Sequence, residues 1–190
     1  LLMSVQKPAR YMGGEFNSIM KNPEDVDVRF AFLFPDTYEV GMSHLGMKIL
    51  YHTINRRDDA WCERVFSPWV DMADLMREND IPLFSLESRT PIRDFDLLGV
   101  TLQYEMSYTN ILDALDLAGI PLRAADRTDG PFVIVGGPCA FNPEPLAPFV
   151  DLAAIGDGED ETHQVIDCYK AWKASGAPRE EFLRAAAQIR

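Results

Sequence analysis

Long apolar runs bounded by turn residues alternate along this chain with stretches in which apolar residues recur every three or four positions. "VRFAFLFP" (28–35) is a continuous apolar run stopped by Pro35, the pattern of a strand buried on both faces. "SHLGMKILYHTINRR" follows with apolar residues at 45, 49, 50 and 54, a helical period that Ser43 is placed to cap. "ERVFSP" (63–68) predicts a short strand, "PWVDMADLMREND" (68–80) a helix, "PLFSLES" (82–88) a strand and "FDLLGVTLQ" (95–103) a stronger one. "SYTNILDALDLAGI" (107–120) predicts a helix closed by Gly119, as a glycine C-cap requires. "PFVIVGG" (131–137) and "VDLAAIGDG" (150–158) predict two further strands, with prolines 138, 143, 145 and 148 keeping the segment between them extended. "EDETHQVIDCYKAWKASG" (159–176) predicts a helix ending at Gly176, and "PREEFLRAAAQIR" (178–190) opens another. Strand and helix in alternation predict an α/β fold, a parallel sheet covered on both faces by helices.

Composition narrows the class. With 47% hydrophobic and 25% charged residues over 190 positions, the chain has material for one core of ordinary size. Thirty acidic residues against eighteen basic ones leave a formal charge of −12, which repels polyphosphate and argues against nucleic acid as a partner. No apolar run approaches the ~18 residues that span a membrane. The first residues lack the order of a signal peptide, so the cytoplasm is the expected compartment. Cys62, Cys139 and Cys168 are widely spaced with no CxxC or CxxxCxxC, so neither zinc nor an iron–sulfur cluster is encoded locally.

Candidate chemistry gathers at strand exits, where open α/β sheets bind their ligands. The first exit is "FPDTYEVGMSHLG", with Asp36, Tyr38 and Ser43 as polar groups and Gly41 opening the backbone to an anion or polar tail. The second brings Thr101 and Gln103 to the end of an apolar strand. The third and fourth are Gly136-Gly137-Pro138 and Gly156-Asp157-Gly158-Glu159, two glycine pairs at successive strand ends where a flat ligand meets bare backbone. Each exit also has a plainer reading as a turn or a helix cap. His44, His52 and His163 lie too far apart for a metal cluster and read as ordinary helix residues. The acids at 157–161 are explained by the helix macrodipole. No Ser–His–Asp set and no P-loop or GxGxxG motif occurs, so no catalytic residue is assigned.

"VIVGGPCAFNPEPLAPFVDLAAIGDGEDET" (133–162) resembles the last third of cobalamin-binding domains that precede radical S-adenosylmethionine (SAM) enzymes. Gly136, Gly137, Pro138, Pro143-Glu144, Gly156, Gly158 and Glu159 match that family's order. "KPARYMGGEFNS" and "FPDTYEVGMSHLGMKILYHTIN" look like one subgroup of such proteins. The resemblance implies a flavodoxin-like, Rossmann-like sheet whose strand ends cradle cobalamin, with Tyr38 packed on the corrin. It implies three segments: an arm (1–27), a cobalamin-binding-like domain (28–176), and a helix (177–190) leading to a radical SAM domain of the same chain. The [4Fe–4S] cluster and SAM belong to that domain. Two departures stand out. The family's Asp-x-His-x-x-Gly reads Asp36-x-Tyr38-x-x-Gly41 here, which removes the cobalt-ligating imidazole, and its Ser-x-Leu reads Thr101-x-Gln103. A cofactor-free interaction module with the same fold is the alternative.

Overall fold

A computed structural model describes residues 2–189. Its sheet has five strands: β1 (Val28–Phe34), β2 (Ala60–Phe66), β3 (Leu97–Thr101), β4 (Phe132–Gly136) and β5 (Leu152–Ala153). All pairs are parallel, in the order β2-β1-β3-β4-β5, the flavodoxin-like order with its reversal between β1 and β3. The helices are α1 (Tyr38–Ser43), α2 (Leu45–Asn55), α3 (Val70–Glu78), α4 (Tyr108–Ala118), α5 (Gly158–Ser175) and α6 (Arg179–Ala186).

The continuous apolar runs feed two cores. Ala31 and Leu33 of β1 face α3 and α4, joined by Met72, Met76, Ile111 and Leu115. Phe30, Phe32 and Phe34 face the other way, toward Met47 and Ile54 of α2 and Val165 and Ile166 of α5. Phe182 of α6 is fully buried, its ring 4.2 Å from that of Phe132, so α6 shares this core.

Three elements differ from the sequence reading. Residues 82–88 form no strand; Phe84 makes one antiparallel bridge to Pro91 and the chain then turns. Its polar side chains are taken by β2: Glu87 accepts from Arg64 N at 2.7 Å, while Ser85 and Ser88 bond the carboxylate of Glu63. Side chains committed to such local bonds compete with a ladder. Strand β5 is two residues rather than seven or more, because it lies at the sheet edge and leaves at Gly156. The cap of α2 is His44, whose Nδ1 accepts from Met47 N at 3.1 Å; Ser43 Oγ donates instead to Val40 O at 2.7 Å. Gly119 and Gly176 close α4 and α5 in the left-handed region, as the sequence predicts.

At the other edge, β2 is buried throughout despite carrying Glu63 and Arg64. Its outward backbone groups bond side chains and one loop amide in place of a sixth strand. Asn55 donates to Cys62 O at 2.9 Å and accepts from Cys62 N at 3.0 Å. Lys21 Nζ donates to Ala60 O at 2.7 Å, and Leu86 N to Arg64 O at 2.8 Å. Replacing Asn55 with Leu strips both Cys62 bonds and leaves a buried N–H and C=O unpaired. That variant is expected to lose about 2–4 kcal/mol, read as a lower urea midpoint at unchanged m-value.

Candidate functional site

One crossover sets up the site. The connection from β4 to β5 runs through turns and packs Ala140, Leu146 and Val150 on the α3/α4 side. On the opposite face α2 and α5 pack side by side, and a cleft of ≈ 200 Å³ opens between them and the sheet at the C-terminal ends of the strands. Phe32, Gly99, Ile134 and Gly136 contribute its floor, Leu50 and Ile54 of α2 one wall, and Thr162 and Val165 of α5 the other. Gln103, Gly137 and Gly156 stand at the mouth.

Of the sequence candidates, Thr101, Gln103, Gly136, Gly137, Gly156, Gly158 and Glu159 line this cleft. The two glycines of each pair do different work. A Cβ on Gly136 would meet only Ala154, at 3.8 Å, so a side chain there would project into the cleft. Gly137 has φ +99° and a Cβ would stand 3.0 Å from Leu102 O. It is needed by the backbone itself, where Leu102 N donates to Gly136 O at 2.6 Å and Cys139 N to Leu102 O at 3.1 Å. A Cβ on Gly158 would lie 3.3 Å from Leu50, so this glycine sets the approach of α5 to α2. Pro138 opens a short 3-10 turn and does not line the cleft.

The first exit is placed elsewhere. Gly41 lies inside α1 with its N–H bonded to Thr37 O, and a Cβ would strike the Phe66 ring. It relieves crowding and offers no free N–H. Asp36 accepts from Thr37 N at 2.6 Å. Tyr38 turns toward the N-terminal arm, donating to Glu15 Oε1 at 2.8 Å with its ring edge-on to Phe66. Burial, and then the bond to Glu15, push its phenol up to about 12. Burial pushes Glu15 upward, but the Tyr38 hydroxyl and Arg64 outweigh it and hold the carboxyl below its ordinary range. Tyr38 is thus engaged with the arm and is not among the residues that line the cleft.

Two cleft residues escape sequence reading. His44 stands at the cleft with Nδ1 used as the α2 cap. The signal was its position one residue before the apolar helical period. Glu161 lies on the α5 wall, and burial raises its pKa above the ordinary carboxylate value. Nearby, Gln103 Nε2 donates to Thr101 Oγ1 at 2.6 Å, leaving the amide oxygen free to accept. Glu159, Asp160 and Glu161 crowd the first turn of α5 and offset its positive end, so the mouth is unsuited to an anion. No group of three or more His, Cys, Asp or Glu suited to a metal occurs among the described residues, and no helix there is long and apolar enough to cross a membrane.

The sequence model of a family described as "Radical SAM proteins, N-terminal" matches residues 46–190. The chain belongs to that family. It is also 26% identical over 143 residues to the uncharacterized protein MJ0966 of Methanocaldococcus jannaschii, covering 72% of this chain and 26% of that protein. The chain thus spans about a quarter of the relative's length.

The raised pKa of Glu161 has a stability consequence. A carboxyl whose folded pKa exceeds the unfolded one favours folding in its protonated form, so its charge costs stability as pH rises through the folded value. Glu161→Gln is expected to melt at a higher temperature than the parent at pH 7.5. The difference should shrink as pH falls and the Glu161 carboxyl takes up its proton. A scan of Tm against pH for the pair checks this.

Proposed function

We propose that the chain is an accessory domain of a radical SAM protein and that its cleft receives the flat end of a ligand held at the entrance to that protein's reaction centre. The observation that carries this is the vacancy above Gly136: an apolar, glycine-floored slot at the strand ends beside the β1/β3 reversal, where sheets of this order take their ligands. The [4Fe–4S] cluster and SAM belong to the radical SAM part of such a protein. The division into an arm (1–27), a domain (28–176) and a leading helix (177–190) is kept within this reading. The cytoplasm is its expected setting.

Cobalamin is the cofactor that the resemblance puts forward. At ≈ 200 Å³ the cleft is smaller than the ~300–1,000 Å³ of sites that enclose drug-sized ligands. It suits a bicyclic end group, with the corrin outside, over Gly137 and Gly156. Cobalt gains no imidazole from the first exit, and Tyr38 is engaged with Glu15. The cofactor-free module is favoured by one observation: the Phe30 ring lies where a Cβ on Gly99 would be, at 2.5 Å, and narrows the floor.

Titration of the full-length protein with hydroxocobalamin, followed by visible absorbance, separates the two readings. Binding is expected, and Gly136→Val should weaken it at least about tenfold, equivalent to about 1.4 kcal/mol, at unchanged Tm. Gly137→Val is uninformative here, since it strains the backbone whether or not a ligand binds. Full-length protein that retains no cobalamin leaves the cofactor-free module standing.

A further inference from the structure

All five strand exits carry a large apolar side chain that stays nearly half exposed or more, Trp69 with the Arg10 guanidinium 5.6 Å from its ring centre. Val40 follows β1, Trp69 follows β2, Tyr104 and Met106 follow β3, Phe141 follows β4 and Ile155 follows β5. Their exposures run from 45% to 74%. Scattered apolar residues on a surface, such as Met3, Met12, Phe16 and Met20 of the arm, need no explanation, but one at every strand exit does. The opposite end is built otherwise. Asp59, Asp96 and Asp151 are paired there with Lys170, Lys173 and Arg179, and Leu122 is the large exposed apolar residue in the connections on that side among the described residues.

We infer that this apolar end is an interdomain docking surface and that its occupant is the radical SAM part of the same protein. The inference rests on the accessory-domain reading. Three observations commit it to that occupant. The family is described as the N-terminal part of radical SAM proteins. The matched relative is far longer, with 26% of it covered by this chain. The cleft opens through the same end, between Gln103, Gly137 and Gly156, and ligand sites favour domain interfaces. Seating the partner here covers the apolar ring and roofs the cleft at once. A second copy of this domain would cover the ring and leave the cleft facing its own duplicate, with the acidic first turns of two α5 helices brought toward each other.

The test uses the full-length protein with p-benzoylphenylalanine in place of Phe141, and separately in place of Leu122. After irradiation, position 141 is expected to cross-link within one chain to a peptide of the radical SAM part, while position 122 does not. A cross-link from 141 to a second chain, or none, overturns the inference. A second variant, Met106→Glu with Phe141→Glu, is expected to raise hydrogen exchange of segments 102–107 and 138–147 about tenfold, a loss of protection of about 1.4 kcal/mol, with segment 119–131 unchanged. Equal exchange in parent and variant also overturns it. Cluster absorbance and SAM cleavage on the same samples keep the two claims apart. Cluster-loaded, SAM-cleaving protein without the cross-link loses the docking surface and keeps the accessory role. Protein that holds neither cluster nor SAM loses the accessory role, and the docking surface with it.

Discussion

Glu63 and Arg64 are neighbours on the edge strand β2, side by side and pointing to opposite faces, and both are buried. Each charge needs its own partners on its own side, and meeting that need fixes much of the periphery. Arg64 is held by Glu87 at 2.6 Å and Glu15 at 2.7 Å, with the Tyr51 ring 5.0 Å from its guanidinium. Glu63 is held by Arg29 and by Ser85 and Ser88. Removing one member of such a buried set leaves an uncompensated charge and costs about 3–5 kcal/mol. Through these bonds the arm, by Glu15, and the turn at 85–88 are pinned across β2. An exposed parallel edge would otherwise invite further strands.

The two ends of the sheet then separate by chemistry. At the N-terminal end, acidic residues preceding strands complete the ladder: Asp96 accepts from Arg29 N at 2.8 Å and Asp151 from Val133 N at 2.7 Å. Their remaining charge is met by Lys173 at 2.9 Å and Arg179 at 3.3 Å, brought down by α5 and α6. Burial, then the hydrogen bond to Asp96, also raises the Tyr169 phenol. With the lower end locked by charge, conformational licence is concentrated at the upper end, where glycines and apolar side chains stand at the exits. Ion pairs between strand-entry aspartates and helix cations mark the lower end, and exposed apolar side chains mark the upper one.

This division explains what the sequence could and could not disclose. The apolar runs at 28–35, 95–103 and 131–137 and the glycine caps at 119 and 176 report local physics, periodicity and φ, so the strands and helices they predict are present, while the run at 150–158 yields only two residues of strand. The glycine pairs pointed to the cleft because backbone exposure is visible as a missing side chain. What failed were residues whose role depends on a distant neighbour. "PLFSLES" has the composition of a strand, and only the presence of Glu63 and Arg64 across a gap of more than twenty residues turns it into a clasp. Tyr38 reads as a ligand contact until Glu15, 23 positions earlier, takes its hydroxyl. His44 and Glu161 become cleft residues only once α2 and α5 are brought face to face.

The cleft itself is selective by what it omits. Its floor and walls are largely apolar, and Gln103 Oε1 and the carboxylates of Glu159 and Glu161 are acceptors among the residues that line it. The field of α5 that would attract a phosphate is spent on Glu159, Asp160 and Glu161. A ligand seated here is therefore favoured when it is flat, uncharged or weakly basic, and able to donate to a carboxylate. Covering the mouth would bury Glu161 further and raise the cost of its charge, so a donor from the ligand and closure by a partner reinforce each other. The feature that makes the carboxylate a liability in the isolated domain is the one that would couple occupancy of the cleft to docking of the part that roofs it.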